Sequence, residues 1–554
     1  MKTHNIGYLL IFSAMWGGIV GMMHPHWQLA IEGGQVWAGL VDYPLDNPNF
    51  MYLNHAWTMV HQATGLLLYA GLPEKLLSLF ISGLIGFVSC MAISGLMFYF
   101  SRSILFSILF PVLYYLIEKQ MHLGANYPIM LWDVPHTYGA LSFSIVLLIV
   151  SLWLLNKHRL AGFLLGLLPS LHIAWAFFVY LVMTLIQVKR WCCKQNNLWQ
   201  RIMPAFICGS LISLISFMDY QYHLIQYPEV MQLKPFIKAF QQWDCHRMPL
   251  PVTHPAIWIN IIAIIYSIFC LQSQSFTPRV LAYEWMIACG VLGLVGALLS
   301  YLPNNMYLYI YRMIPTRVLN VNVVFLIACC AGQLNINNFR GAVLVVLTCV
   351  MYLSGMMISF WAAAFTISGV FFGITWIKEI FSKQVENWIQ HDQWRYIPLF
   401  LMVIIHCQFI VQHISNISKF IFHKDLVIEE VKKTKGILLT ASNIMLIQAR
   451  TRKPVLLYGE SLDMVMYAMA SMPTVSHILN DIYGISWCNP PESVLHKGGL
   501  TSCIDQKLWE NRSLDQWIEI KEKYNVSYVL TYASYQLNLK LVEKNSYYGL
   551  YRLP

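Results

Sequence analysis

Two aspartates stand in the first polar stretch of the chain, in Asp42-Tyr-Pro-Leu-Asp46-Asn-Pro. Either carboxylate is suited to take a proton from a hydroxyl as general base. Asp46-Asn-Pro also makes a good turn or helix cap, and Glu32, read on an amphipathic helix, is the weaker acid candidate. Three further polar stretches carry cations and histidine. One holds His136-Thr-Tyr-Gly, and another holds Lys234 followed by Trp243-Asp244-Cys245-His246-Arg247. The last holds Arg312 and Pro315-Thr-Arg317. Arginine at a junction of polar loop and apolar helix binds phosphate bidentately, so Arg247, Arg312 and Arg317 are candidate phosphate ligands. Lys234, His136, His246 and Asp244 complete that set. The same arginines equally suit lipid headgroups or helix C-termini, and Trp132 and Trp243 suit interface anchors.

These segments interrupt a chain that is 57% hydrophobic and 11% charged over 554 residues, where a soluble domain carries about 25% charge. A single water-soluble core is excluded. Residues 1–424 hold 22 Lys/Arg against 13 Asp/Glu, a net of +9, whereas 425–554 hold 14 against 13. The basic excess therefore belongs to the apolar part, where it reads as membrane topology rather than nucleic-acid binding. Apolar spans are predicted at 6–23, 77–99, 103–118, 139–156, 203–217, 257–272, 281–301, 319–333, 341–357, 361–377 and 397–415. Residues 160–187, with cations at both ends, predict two short helices turning back near Pro169–Ser170. Residues 57–72 predict an interfacial helix. The expectation is a polytopic α-helical membrane protein of about 11–13 spans, with a soluble α/β domain at 425–554. The N-terminus is placed in the cytoplasm and the tail on the opposite face, which gathers all four polar segments on the tail side.

In the tail, 437–441, 454–458 and 526–531 read as strands, and 461–471 and 513–523 as helices, with Ser513 and Gln516 fitting a capping box. No Gly-x-Gly-x-x-Gly or Walker sequence is present. Cys488 and Cys503 frame a loop that a disulfide would close, and two free thiols fit equally well. His24, His26, His55, His122, His136, His246 and His254 lack paired metal-ligand spacing. One divalent cation held by a carboxylate and a histidine stays open, and no other cofactor is expected. His172, beside Pro169 and Ser170 in an apolar segment, reads as facing protein or the polar face.

An N-terminal span, a long acidic first loop, about 11–13 spans and a C-terminal domain on the same side resemble the GT-C superfamily of integral-membrane glycosyltransferases. The resemblance covers the architecture of the whole chain; the paired acidic motif often seen in that loop is absent. It implies transfer of a sugar from a polyprenyl-phosphate donor in membrane lipid to an acceptor left unnamed. It implies a first-loop carboxylate, Asp42 or Asp46 here, as base, and a periplasmic tail on a bacterial inner membrane. Nucleic acid is not an expected partner. The competing classes are a transporter or flippase for lipid-linked sugars, and a non-catalytic subunit of an envelope complex.

Overall fold

The computed structural model describes residues 3–121, 123–125, 131–194, 199–227, 233–272, 279–302, 310, 312–333 and 396–554. The predicted spans 341–357 and 361–377 lie outside the described residues. The chain is predominantly helical: α1 (Thr3–Met23), α2 (Leu29–Trp37), α3 (Pro48–His55), α4 (Met59–Tyr69), α5 (Glu74–Ser101), α6 (Ile104–Met121), α7 (Thr137–Leu154), α8 (His158–Leu171) and α9 (Ile173–Cys192). There follow α10 (Trp199–His223), α11 (Leu233–Trp243), α12 (Pro255–Gln272), α13 (Val280–Leu299), α14 (Leu319–Gln333) and α15 (Tyr396–Phe422). Among the described residues, eight helices are long and apolar enough to cross a membrane: α1, α5, α7, α9, α10, α12, α13 and the stretch from Phe400. Two shorter apolar helices, Ile104–Leu116 and Pro315–Cys329, occupy the predicted 103–118 and 319–333 spans.

Small residues let the apolar helices meet backbone to backbone. A methyl group at Gly17 would overlap the Gly86 carbonyl, one at Gly21 the Ser82 carbonyl, and one at Gly86 the Gly17 carbonyl, so α1 and α5 cross at closest approach. Gly166 and Gly209 do the same for α8 and α10. Where water adds no driving force, such close packing is what holds helices together. Some polar residues inside this body pair with one another across helices. Glu284 of α13, buried, binds Lys189 Nζ and Arg190 Nη2 at the end of α9, each at 2.8 Å. Asn322 Nδ2 donates to Asn260 Oδ1 at 2.9 Å and to the Met286 carbonyl at 2.7 Å, tying α12, α13 and α14.

The 57–72 stretch forms α4, 11 residues long and so about 16 Å, too short to span a bilayer. Its Gln62 Nε2 binds the Ser216 carbonyl and the Asp219 carboxylate of α10, both at 2.7 Å. The 160–187 stretch does break in two, at His172 rather than at Pro169–Ser170, but the pieces are not two short helices: α8 has 14 residues and α9 has 20, long enough to cross a membrane. The proline is accommodated inside α8, and it is the extended backbone of His172 (φ −165°) that ends the helix.

The tail is a four-stranded sheet in the order β1-β2-β4-β3: β1 (Ile437–Thr440) parallel to β2 (Val526–Tyr532), and β4 (Tyr548–Arg552) antiparallel to both β2 and β3 (Lys540–Lys544). Leu514–Tyr524 is a helix with the expected Ser513–Gln516 capping box, and 461–471 is helical as 3₁₀ turns over Gly459–Ser471. The 454–458 stretch is not a strand of this sheet. It makes a single parallel bridge, Leu438 to Val455, because its other backbone groups are taken by side chains from elsewhere in the chain. The β3–β4 hairpin escaped prediction because Lys540–Lys544 is charged and mostly exposed. Nor does the tail's core stop at Asp425: Ala239, Phe240 and Trp243 of α11 are buried in it, with Trp243 stacked on Trp487 at 5.4 Å. Cys488 and Cys503 are separate, exposed thiols.

Forcing a side chain into the α1–α5 crossing separates the two helices. Gly86→Leu is expected to cost about 1–3 kcal/mol, read as a lower melting temperature in detergent. Gly7→Leu, where nothing lies within 4 Å, should leave it unchanged.

Candidate functional site

The polar segments and the tail meet at one end of the helical body. Leu29 N donates to the Pro135 carbonyl at 3.1 Å. Gln28 Nε2 reaches the Val134 carbonyl at 3.0 Å, and Ala125 N reaches Asn320 Oδ1 at 2.7 Å. Asn47 caps α3 through Asn49 N and Phe50 N, with Pro48 in the first turn, so Asp46-Asn-Pro is a helix start. The Asn47 amide then donates to the Val455 and Leu456 carbonyls at 3.0 and 3.1 Å, Asn49 Nδ2 to Val455 O at 2.9 Å, and Val455 N to Tyr43 Oη at 3.2 Å. These side chains complete the open edge of the 454–458 stretch and dock the tail.

Glu32 is the acid buried in this seam. It is 2% exposed, accepts from Tyr458 Oη at 2.7 Å and Ala449 N at 3.2 Å, and lines a small apolar pocket of about 40 Å³ with Tyr52, Tyr138, Leu457 and Met464. Burial pushes its carboxyl up to about 7, which the hydrogen bonds from Tyr458 and Ala449 only partly offset.

A larger cleft, about 1160 Å³, opens beyond the Ile447–Thr451 helix, whose Gln448 and Ala449 face α2 while Arg450 and Thr451, with Arg452 just after them, line the cleft. Its lining includes His24, His26, Trp27 and Asp133 together with Lys419, Phe420 and Lys424 and the start of the tail, and Trp27 packs on Phe420 with ring centroids 5.7 Å apart. Asp133 (φ 66°) takes His26 Nε2 at 2.9 Å, His24 Nδ1 at 3.3 Å, Tyr115 Oη at 2.6 Å and Lys119 Nζ at 3.0 Å. Burial acts to raise this carboxyl, but the donors from His24, His26, Tyr115 and Lys119 outweigh it and hold it far below the usual carboxylate range. Of the cleft's cations, Arg452 pairs with Glu74, Arg450 with Asp425 at 3.2 Å and Lys432 with Glu429 at 2.6 Å. Lys75, Lys419 and Lys424 have no carboxylate partner among the described residues.

The first-loop aspartates and the candidate phosphate ligands line neither cavity. Asp42 and Asp46 are exposed, have no hydrogen-bond or ion-pair partner among the described residues, and line neither pocket. Arg247 is 4% exposed; it pairs with Asp244 at 3.2 Å, donates to Tyr467 Oη at 3.0 Å and lies over the rings of Phe240 and Tyr467. Arg317, 1% exposed, lies 3.1 Å from His172 Nε2 and over Trp175. His172 thus faces protein. Arg312 is half-buried and Lys234 is exposed on α11. His246 binds Asp463 at 3.1 Å, and His136 lies near both. Of the predicted set, Asp244, Arg247, His246 and His136 come together. The His26–Asp133 pair and the lysine wall were not singled out, since 107 residues separate the pair and no local spacing joins them. No protein-family model matches the chain, and no curated protein is similar to it.

Because the raised Glu32 pKa favours the neutral acid in the folded protein, its contribution to stability is present below the ordinary carboxylate range and lost as pH rises through about 7. The swing is about 3 kcal/mol for a shift from 4.5 to about 7. The melting temperature should fall between pH 5 and pH 8, and Glu32→Gln should flatten that slope. Parallel profiles for the two proteins would contradict the assignment.

Proposed function

We propose that this protein is an integral-membrane glycosyltransferase that moves a sugar from a polyprenyl-phosphate carrier to an acceptor hydroxyl. The site faces the outer side of a bacterial inner membrane, with the N-terminus in the cytoplasm. The observation that carries the reading is the cleft. It sets three lysines that have no carboxylate partner among the described residues beside an imidazole–carboxylate pair, at the end of a body of apolar helices. A polyprenyl tail stays among apolar helices while its phosphate stops at the polar end, where Lys75, Lys419 and Lys424 supply positive charge and Trp27 and Phe420 supply apolar cover.

The chemistry follows from that placement. His26 is oriented by Asp133 through the 2.9 Å contact and takes the proton of the acceptor hydroxyl as general base. The acceptor oxygen forms its bond to the anomeric carbon from the face opposite the leaving group. The carbon–oxygen bond to phosphate breaks, its electron pair stays on the phosphate oxygen, and the lysines stabilise that charge. Configuration inverts. Asp42 and Asp46, the first-loop acids suggested by the GT-C resemblance, are the alternative bases. Transport of the lipid-linked sugar is less well supported, since the buried Glu284 is already neutralised by Lys189 and Arg190 and offers no unpaired charge to a moving ion.

Full-length protein in nanodiscs, given a radiolabelled polyprenyl-phosphate hexose, should release polyprenyl phosphate and transfer the label. Lys419→Ala with Lys424→Ala should raise KM about tenfold or more, as expected for loss of charge-assisted phosphate contacts. His26→Ala should lower kcat by about 100-fold or more. Movement of the lipid across the bilayer without cleavage would instead indicate a transporter. Full activity of His26→Ala with loss in Asp42→Asn or Asp46→Asn would return the base to the first-loop acids.

A further inference from the structure

The turn after α11 brings a thiol, an imidazole and a carboxylate together: the ligand atoms of Cys245, His246 and Asp463 lie within 4.8 Å of one another. The first two belong to the helical part of the chain and the third to the tail, on the 3₁₀ helix Gly459–Ser471. The backbone holding them is well tied. Asp244 Oδ1 accepts from His246 N at 2.9 Å and Arg247 N at 3.2 Å, while its pairing with Arg247 anchors the turn from inside. Gly498 links the two halves, its N–H donating to the Trp243 carbonyl at 2.8 Å and its carbonyl accepting from Asp463 N at 3.0 Å. That glycine has φ +80°, and a Cβ there would stand 2.7 Å from the Cys245 sulfur. His136, at the start of α7, lies close enough to feel the charge of both Asp463 and His246.

We infer that Cys245, His246 and Asp463 form a binding site for a zinc-class divalent cation, which pins the tail to the helical body. Sulfur, nitrogen and carboxylate oxygen together suit zinc rather than magnesium or calcium, whose ligands are all oxygen. Ligand atoms around tetrahedral zinc are about 3.5 Å apart, so small side-chain rotations suffice from the observed spacing. Water fills the fourth position. The site stands apart from the lysine cleft, whose lining it does not share, so the inference does not depend on the proposed transferase reaction.

The test uses thiol protection in the full-length protein in detergent, with iodoacetamide labelling read by peptide mass spectrometry. Zn2+ should slow labelling of Cys245 by about tenfold or more, while the exposed Cys488 and Cys503 report labelling in the absence of a site. Mg2+ should protect nothing. Asp463→Asn and His246→Ala should each abolish protection while leaving Cys488 and Cys503 labelling and the gel-filtration profile as in the parent. A Co2+-loaded sample should show a sulfur-to-metal charge-transfer band that Cys245→Ser lacks. Equal labelling of Cys245 with and without Zn2+, or full protection retained by Asp463→Asn, would overturn the inference.

Discussion

Every backbone N–H and C=O that leaves water must find a partner, and the 454–458 stretch finds most of its partners outside the tail. One edge meets β1 at a single bridge. The other is closed by Tyr43, Asn47 and Asn49, side chains that belong to the segment between α1 and α5. Glu32 and Gln35 of α2 extend the same network to Gln448 and Ala449. The seam is thus made of hydrogen bonds whose loss would leave buried polar groups unpaired, the more costly direction of change. The short Ile447–Thr451 helix held there divides the Glu32 pocket from the basic cleft. Both cavities take their shape from how the tail is docked.

Charge placement follows burial. Inside the apolar body the acid of α13 is matched by two cations at 2.8 Å, since an unmatched charge there is expensive. At the polar end the matching stops. Arg450, Arg452 and Lys432 have acidic partners, while Lys75, Lys419 and Lys424 line the same cleft without one among the described residues. Asp133 accepts from four donors, which fixes it as an anionic post that orients His26 rather than as a base in its own right. Glu32 is the opposite case, a buried acid with few donors whose proton is held up to about 7.

The arginines chosen from sequence illustrate how residue type misleads without depth. Arg247 sits in a polar run bounded by an apolar helix, which suits phosphate, yet the run folds inward over Phe240 and beneath Tyr467. Its guanidinium organises the turn that presents Cys245 and His246. Asp46-Asn-Pro shows the converse: its helix-cap reading is realised through Asn47, which both starts α3 and holds the tail. Histidine spacing in the chain gave no metal motif, because the third member of the Cys245–His246–Asp463 group stands 217 residues beyond His246.

The division into apolar helical body and charged tail, the shortness of α4, the break within 160–187 and the Ser513 capping box were all readable from sequence. Each rests on composition, periodicity or neighbours within about four residues, which act before any tertiary contact forms. Which polar groups meet was decided only by the tertiary structure. His26 and Asp133 are 107 residues apart, and Glu32 and Tyr458 are 426 apart. Both pairs exist because glycine-lined helices pack closely enough to bring the ends of α1, α5 and α7 together, and because an open backbone edge in the tail required side chains from the first polar segment. Hydropathy carries no record of that choice, since it measures how much surface a residue prefers to bury and not against what.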